Sequence, residues 1–305
     1  MTDFTERLSA ALFSAAQPGA VSSVQTVGGQ HGYRHLVATL ADGRQLFVKA
    51  AGEAADDPSQ AEAFAAEANS LRWLGEADGG VPVPDVVAVA GDLLAIEFLP
   101  PGRPTAEAAE DFGAALARTH RAGAPYFGAD WPGRIASLPL DNTPTRSASA
   151  SDPPGAEWGQ WWQERRGVRY TRRARDAGLL SAADLSLVET VVSRAHDLGG
   201  PAEPPSRIHG DLWSGNVLWS GGRGWLIDPA AHGGHRESDL AMLHLFGAPY
   251  LDRIVGAYDT EFPLADGWRS RIPLHQIHPL LVHVCLFGGA YAGQLREAAR
   301  AALAA

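Results

Sequence analysis

Three oxygen-bearing side chains follow one another at characteristic intervals in the second half of the chain: Asp211, Asn216 and Asp228. The asparagine comes five residues after the first aspartate, and the second aspartate comes seventeen residues after it, directly behind the apolar run 225–227. A carboxylate can accept the proton of a hydroxyl nucleophile, and amide and carboxylate oxygens are the hard ligands that Mg²⁺ prefers. This order and spacing are typical of a phosphoryl-transfer loop followed by a metal-binding aspartate. They predict Asp211 as the base and Asn216 and Asp228 as magnesium ligands.

A simpler explanation is that these residues only form turns, because Asp, Asn and Gly are common in turns and Gly210 and Gly215 flank them. Asp and Asn at this interval alone would favour that explanation. The combination is more specific, since a His-Gly pair precedes Asp211 and an isoleucine precedes Asp228. We therefore favour the kinase interpretation.

Composition limits the other classes of function. The chain has 305 residues, enough for one or two domains, and 45% of them are hydrophobic, as in ordinary globular proteins. A net charge of −10 without a long Lys/Arg run argues against nucleic acid and anionic membranes as partners. The single cysteine, Cys285, excludes an internal disulfide and fits a reducing cytoplasm. No signal-peptide pattern and no membrane span are expected, so we predict a cytoplasmic protein.

The elements that must position these residues begin with a strand-rich segment. A short amphipathic helix is predicted first, then five strands and one further helix. The predicted strands are 21–27, 35–40, 45–49, 81–89 and 93–99, and the second helix follows the capping box 59–62. Between the first two strands lie Gly28, Gly29 and Gly32, where a glycine-rich hairpin tip would let backbone N–H groups approach phosphates. A plain hairpin loop would have the same sequence.

A lysine and a glutamate in this segment could form a pair that positions phosphates. Lys49 ends the apolar run of the third strand, where kinases carry the lysine that contacts the α- and β-phosphates. Glu67 lies near the middle of the next helix and could turn toward Lys49, with Glu62 as the rival candidate. Glu97, Phe98 and Leu99 then precede Pro100-Pro101-Gly102 and are predicted as the hinge whose backbone binds adenine.

Beyond Gly102 the pattern is helical, which predicts an α+β fold with two lobes, residues 1–99 and 100–305. The segment 141–155 is rich in Ser, Thr and Pro and is predicted to be a loop. The predicted helix 157–177 carries three tryptophans, interpreted as core anchors, and six arginines, interpreted as a solvated face. His232 with His235, and His275 with His278, are three residues apart, but no cysteine or carboxylate motif of a zinc site accompanies them.

These motifs together resemble the fructosamine kinase (ketosamine-3-kinase) family, which has a protein-kinase-like fold. The resemblance rests mainly on three stretches and runs from about residue 27 to residue 291, with lesser matches at Phe47-Val48-Lys49, Glu67 and Leu286-Phe287-Gly288. The stretches are His209-Gly210-Asp211-Leu212-Trp213-Ser214-Gly215-Asn216, Ile227-Asp228-Pro229-Ala230 and Gly234-His235-Arg236-Glu237-Ser238-Asp239-Leu240-Ala241-Met242. The first motif is shared by small-molecule kinases of this fold, whereas Trp213 followed later by His-Arg-Glu is more particular to this family.

The resemblance implies an activity, cofactors and further site residues. ATP with Mg²⁺ would phosphorylate the 3-hydroxyl of a free or protein-bound ketosamine, after which the adduct decomposes and frees the amine. The resemblance implies that Trp213, His235 and Arg236 contact the substrate and that Asp239 braces the catalytic loop. Gln30 and the residue after it occupy the place where some members carry a redox-active cysteine, so thiol switching is not expected. The oligomeric state and the natural sugar stay open.

Two other classes of function were weighed. The first is a kinase for another small hydroxyl substrate, such as an aminoglycoside, choline or homoserine. The second is a binding module that keeps the fold without the chemistry. The presence of Lys49, Asp211, Asn216 and Asp228 argues against the second.

Overall fold

The computed structural model describes residues 2–15, 19–30, 32–52, 58–144 and 157–305. The first third of the chain forms one five-stranded antiparallel sheet in the order β1-β2-β3-β5-β4, with two helices packed on it. The elements in chain order are α1 (Thr2–Ser14), β1 (Val21–Gln30), β2 (Tyr33–Leu40), β3 (Gln45–Ala51), α2 (Pro58–Gly75), β4 (Val86–Ala90) and β5 (Leu93–Glu97).

The central strand β3 shows how α1 and α2 pack against opposite faces of the same sheet. Its side chains alternate between the two faces, as the period of two in a strand requires. Leu46 and Val48 are buried in the cluster that includes Leu8 and Leu12 of α1. Phe47 packs against the cluster of α2, and Lys49 therefore points to the same face as that helix. The alternation thus decides which helix can supply a partner for the lysine.

The rest of the chain is mostly helical. Its helices are α3 (Ala106–Arg121), α4 (Trp158–Trp162), α5 (Val168–Asp176), α6 (Ala182–Ser193), α7 (Ala195–Leu198), α8 (Arg236–Phe246), α9 (Leu251–Glu261), α10 (Trp268–Phe287) and α11 (Ala292–Ala304). Thr105 caps α3 by accepting a hydrogen bond from the N–H of Ala108. One core gathers the tryptophans of α4 with α10 and α11, and a second packs α3 against α8 and α9.

Two short hairpins and a third pair of strands that are not consecutive, all antiparallel, lie in the rest of the chain. They pair β6 (Gly133–Ile135) with β7 (Leu138–Leu140), β9 (Val217–Ser220) with β10 (Arg223–Leu226), and β8 (Ser206–Ile208) with β11 (His232–Gly234). The motif 209–216 follows β8, and Asp228 follows β10. The predicted catalytic residues therefore lie in loops whose ends are held by short strands.

Several expected boundaries differ from the structure. β1 continues through Gly28 and Gly29, which pair with His35 and Arg34, so these glycines lie within a strand and not at a hairpin tip. A bulge between Thr26 and Gly28 accommodates the change. The expected strand 81–89 begins only at Val86. The prolines at positions 82 and 84 lack the N–H that a ladder needs.

The helices also differ in detail. The expected helix 157–177 contains a π-helical segment, Gln163–Gly167, between α4 and α5. Arg166 in this segment is buried, contrary to the expected solvated face: it stacks on Trp161 and donates to Asn142. The helix α9 was not predicted. The helix α2 begins at Pro58, one residue before the predicted capping box 59–62. Residues 145–155 of the predicted loop lie outside the described residues.

Candidate active site

A cleft of about 180 Å³ lies where the sheet faces the hairpins and the catalytic motif. The part of the chain that forms the five-stranded sheet and the later, mostly helical part both contribute residues to its walls. The lining residues are Tyr33, His35, Lys49, Ala63, Phe64, Ala66, Glu67, Ser70, Gly133, Arg134, Ala136, Asp211, Trp213, Asn216, Asp228, Pro229 and Ala230. The structure therefore brings together six predicted site residues that are up to 179 positions apart in sequence, the separation of Lys49 from Asp228.

Lys49 bridges two carboxylates at the centre of the cleft. Its Nζ lies 2.8 Å from both carboxylate oxygens of Glu67 and 2.5 Å from Oδ1 of Asp228. Burial disfavours the ammonium, but the two carboxylates outweigh burial and raise the pKa of Lys49 above its usual range. The rival Glu62 is exposed on the same helix. The geometry therefore favours Glu67 as the partner of a permanently charged lysine.

Asp211 lies in the same cleft, and none of the described residues pairs its carboxylate with a cation. Burial, followed by repulsion from Asp228, raises the pKa of Asp211 to about 7. In the described part of the chain, its carboxylate receives a hydrogen bond from Nδ2 of Asn216 at 3.3 Å. A carboxylate with a pKa near neutrality can both accept and release a proton at physiological pH, which is what a general base requires.

Asn216 and Asp228 present oxygens toward the cleft. Asn216 uses its Nδ2 to bind the backbone oxygen of Asp211 at 2.8 Å, which leaves Oδ1 as its remaining ligand atom. The side chain of Asp228 is 43% exposed although Lys49 contacts it. Asp228 also adopts a left-handed backbone conformation, with φ of 53°, an uncommon value for a residue other than glycine. Such outliers concentrate at functional sites, where the surrounding structure holds the side chain in place.

A buried network holds the catalytic loop from behind. The carboxylate of Asp239 accepts hydrogen bonds from the N–H groups of His209 at 2.7 Å and Gly210 at 3.0 Å. It also contacts Nε2 of His120 at 3.1 Å, whose Nδ1 lies 2.8 Å from the hydroxyl of Tyr258. Burial opposes the charge on Asp239, but these partners outweigh it and lower the pKa of the carboxyl. This geometry fits the bracing role that the resemblance implies for Asp239.

Steric contacts explain why two positions of the motif are glycine. Gly210 has φ of 81°, and a Cβ there would lie 2.3 Å from the backbone oxygen of Ala230. A Cβ on Gly215 would lie 2.2 Å from the indole ring of Trp213. Both positions therefore exclude larger residues, and the second shows that the indole lies flat over the loop.

Trp213 stands between this cleft and a second cavity. It is 39% exposed, and its ring lies edge-on to Phe246 at a centroid distance of 6.5 Å. The second cavity, of about 340 Å³, shares Trp213, Asp211 and Ala136 with the cleft. A molecule in this cavity could therefore present a hydroxyl to Asp211 while a nucleotide occupies the cleft.

His235 and Arg236 lie apart from the cleft. His235 is 3% exposed and packs between Trp158 and His275, and burial lowers its pKa to about 3. Arg236 is 4% exposed and forms an ion pair with Glu203 at 2.6 Å. The structure therefore gives both side chains structural partners in the helical core in place of the substrate contact that the resemblance implied.

A histidine-rich group surrounds His235. One ligand atom each of His235, Glu237 and His275 lies within 4.8 Å of the others. The Glu237 carboxylate is already bound by the guanidinium of Arg271 at 2.5 and 2.9 Å. Because the guanidinium repels a second cation, this arrangement is better explained as an internal ion pair between Arg271 and Glu237.

The predicted hinge follows the interior strand β5, whereas the predicted glycine segment lies at the end of the edge strand β1 and in the turn to β2. The N–H of Glu97 donates to Asp85, and that of Phe98 donates to Gln45. Among the described backbone hydrogen bonds, none uses the N–H of Leu99. Of the three glycines, Gly32 forms the turn with φ of 82°, and its backbone oxygen accepts from Gly52. The predicted segment also includes position 31, which lies outside the described residues.

Sequence reasoning missed part of the lining. Gly133, Arg134 and Ala136 of the β6–β7 hairpin form one wall of the cleft, and Phe246 and His283 line the second cavity. The segment 133–136 carries no catalytic motif, so its place in the wall follows from tertiary packing. A signal existed for His283, which is followed by the Leu-Phe-Gly stretch that contributed to the resemblance.

Comparison with known proteins gives a consistent result. The sequence model of the family described as fructosamine kinase matches residues 4–305. A Klebsiella aerogenes protein named "Probable ketoamine kinase" is 32% identical over 252 residues, which are 81% of each chain. The crystal structure of a Thermobifida fusca protein named "putative fructosamine-3-kinase" superposes with a TM-score of 0.90 at 49% identity, covering 99% of this chain and 98% of the other.

More distant structures share the fold alone. A macrolide 2′-phosphotransferase type I superposes with a TM-score of 0.61 at 20% identity, covering 100% of this chain and 98% of the other. The predicted α+β, protein-kinase-like fold is confirmed.

Proposed function

The chain belongs to the fructosamine kinase family and is an ATP-dependent phosphotransferase that acts on a hydroxyl group; we propose that this hydroxyl is the 3-hydroxyl of a ketosamine. The observation that carries the proposal is the position of Asp211, whose raised pKa suits a base and which lies where the cleft meets a second, apolar cavity. After transfer, the 3-phosphate would decompose and release the amine, which amounts to deglycation.

Asp211 is the proposed base. Its carboxylate accepts the proton of the acceptor hydroxyl, the hydroxyl oxygen forms a bond to the γ-phosphorus of ATP, and the bond from that phosphorus to the β,γ-bridging oxygen breaks. ADP leaves with the bridging oxygen, so charge and atoms balance. Asp239 acts through the backbone N–H groups of His209 and Gly210, which it holds in place, and is a positioning residue.

The donor set fits a magnesium ion. Oδ1 of Asn216 and the carboxylate of Asp228 are hard oxygen ligands, and both residues line the cleft beside Asp211. Two protein oxygens are the number expected for Mg²⁺ that is shared with nucleotide phosphates. When bound, the ion would neutralise phosphate charge. Asp228 would then exchange its contact with Lys49 for the metal.

We propose that residues 1–99 act as the nucleotide-binding lobe and 100–305 as the catalytic and substrate lobe. In the first, Lys49 held by Glu67 contacts the phosphates. The N–H of Leu99, which no described backbone bond uses, serves adenine together with the carbonyl of Glu97. The glycine segment at Gly28, Gly29 and Gly32 would cover the phosphates.

The proposed acceptor is a small or protein-bound ketosamine, with Trp213 stacked on its sugar. An indole offers an apolar face to the C–H side of a sugar and a π-surface to a nearby ammonium. In the described residues, no helix is long and apolar enough to cross a membrane. We propose the cytoplasm as the place of action because the single cysteine, Cys285, fits a reducing compartment.

A phosphate-transfer screen tests the proposal. The purified protein is incubated with Mg-ATP and ribulose-, erythrulose- and fructose-amines, with aminoglycosides, choline and homoserine beside them. Phosphorylation of ketosamines is expected, with the product phosphate located by NMR at the 3-position. Efficient phosphorylation of an aminoglycoside or choline with no ketosamine turnover would show that the substrate assignment is wrong.

A further inference from the structure

The second cavity has a wall that is unusually rich in aromatic side chains. Phe246, His283, Phe287 and Tyr291 form a continuous series with Trp213, and neighbouring ring centroids are 4.8–6.5 Å apart. Phe287 at the end of α10 is 55% exposed, so the series reaches from Asp211 to the protein surface. Exposed aromatic groups in a cavity mark a binding surface more often than a packing defect.

The charge that lines the cavity is negative. Asp211 supplies a carboxylate, and no lysine or arginine lines the cavity among the described residues. Nδ1 of His283 lies 2.7 Å from the backbone oxygen of Pro279 and must donate to it. Burial lowers the pKa of His283, so the ring is neutral near pH 7 and its Nε2 is an acceptor. The cavity therefore favours apolar groups and cations and offers nothing to an anion.

We infer that this aromatic wall receives the amine substituent of the ketosamine, so that the enzyme prefers adducts of alkyl and aryl amines over adducts of α-amino acids. The inference rests on the proposed function. In a ketosamine the nitrogen is a few bonds from the 3-hydroxyl, so a substrate with this hydroxyl at Asp211 must direct its nitrogen or its sugar tail into the cavity. The sugar tail carries several hydroxyls, and each would lose hydrogen bonds against an apolar wall, which is unfavourable.

The nitrogen end suits the wall better. Its ammonium lies near the Asp211 carboxylate and the aromatic faces, both of which attract a cation. An alkyl or aryl substituent then covers Phe246 and Phe287. In an α-amino acid adduct, a carboxylate would take that place, close to Asp211 and without a cation to pair with, which is unfavourable.

The test keeps the sugar constant and changes the amine. Ribulose adducts of benzylamine, butylamine, glycinamide and glycine are compared by kcat/KM, with glycinamide as the neutral match for glycine. The benzylamine adduct is expected to exceed the glycine adduct by about tenfold or more, mainly through KM. Equal use of the glycine and benzylamine adducts would overturn the inference while leaving ketosamine kinase activity intact. Absence of turnover with every adduct would instead refute the proposed function on which it rests.

Two substitutions of Phe287 are expected to change the preference among amine substituents in different ways. Phe287→Ala should lower kcat/KM for the benzylamine adduct several-fold and leave the glycinamide adduct nearly unchanged, and Phe287→Arg should raise kcat/KM for the glycine adduct by pairing with its carboxylate. Phe13→Ala is the matched control, since this phenylalanine is 86% exposed on α1. Melting temperatures exclude unfolding as the cause. Equal losses with all four adducts in both Phe287 variants would show that the side chain does not face the amine substituent.

Discussion

Asp211→Asn is expected to lower turnover strongly and at the same time stabilise the ligand-free protein near neutral pH. In the folded protein the pKa of Asp211 is raised to about 7, whereas in the unfolded chain it is close to 3.9. Above pH 7 the folded state must therefore carry a carboxylate that burial and Asp228 disfavour. Asparagine removes the charge, and its Oδ1 can still accept from Asn216.

The size of the effect follows from linkage. A difference of about three pKa units corresponds to about 4 kcal/mol at 1.36 kcal/mol per unit. Asp211 is only partly buried, and solvent screening reduces this to about 1–2 kcal/mol. For a protein of this size, that is a rise in Tm of roughly 2–3 °C.

The stabilisation by Asp211→Asn is expected to increase as pH rises. Because the folded-state pKa is raised, the penalty is absent below the unfolded pKa, grows as pH rises from about 4 to about 7 and is constant above. The Tm difference between variant and wild type should follow this curve in calorimetric scans at pH 5, 7 and 8.5. Turnover should fall by about 10²–10⁴.

Asp184→Asn serves as the opposite control. Hydrogen bonds from Arg296 and Ser181 lower the pKa of Asp184 to about 2. This variant should lose stability above pH 4, where the wild-type carboxylate is charged and bound. A Tm of Asp211→Asn that equals or falls below the wild type at pH 8.5, with the control behaving as expected, would refute the raised pKa. Near-normal turnover would end the assignment of Asp211 as base.

The remaining predictions concern the nucleotide and the acceptor. Asp228→Ala should weaken binding of Mg-ATP about tenfold or more in a calorimetric titration, and unchanged affinity would count against its metal role. Lys49→Met and Glu67→Ala should lower kcat/KM for ATP without a matching loss of Tm, whereas Glu62→Ala, on the exposed face of the same helix, should be nearly neutral in both measurements. Trp213→Ala should raise KM for a ketosamine and leave Mg-ATP affinity almost unchanged, because its indole is 39% exposed at the acceptor side; equal weakening of both ligands would contradict the stacking role.

The sequence predicted contacts best where local spacing or periodicity determines which side chains lie together. Asp211 and Asn216 are separated by one short loop, so their spacing alone indicates a shared site. The contact of Lys49 with Glu67 depends on which face of β3 carries the lysine and which face of α2 carries the glutamate. The period of two in the strand and the period of 3.6 in the helix are both visible in the sequence. The family and fold followed from these motifs.

Long-range packing limited what the sequence could predict. Arg236 stands in a motif that suggested substrate contact, yet Glu203, thirty-three residues earlier, binds its guanidinium in the core. Arg166 belongs to a run of arginines that suggested a solvated face, but the π-helical segment turns it inward onto Trp161 and Asn142. In both cases one partner, Glu203 or Asn142, lies outside the local pattern, so no period in the sequence could indicate it.

The chemical difference between the aspartates is of the same kind, because it comes from partners and not from residue type. Asp239 receives two backbone N–H groups and contacts His120, and its pKa is lowered although it is the most deeply buried of the three. Asp228 contacts Lys49, and its pKa is also lowered. Asp211 is close to Asp228 but receives only an amide N–H within the described residues, and its pKa is raised. Environments that push the pKa values of neighbouring carboxyls apart assign their roles. Among the described residues, none gives Asp211 a cation, and Asp211 is the carboxyl of the three that can take up a proton near pH 7. It is also the one that lines the second cavity.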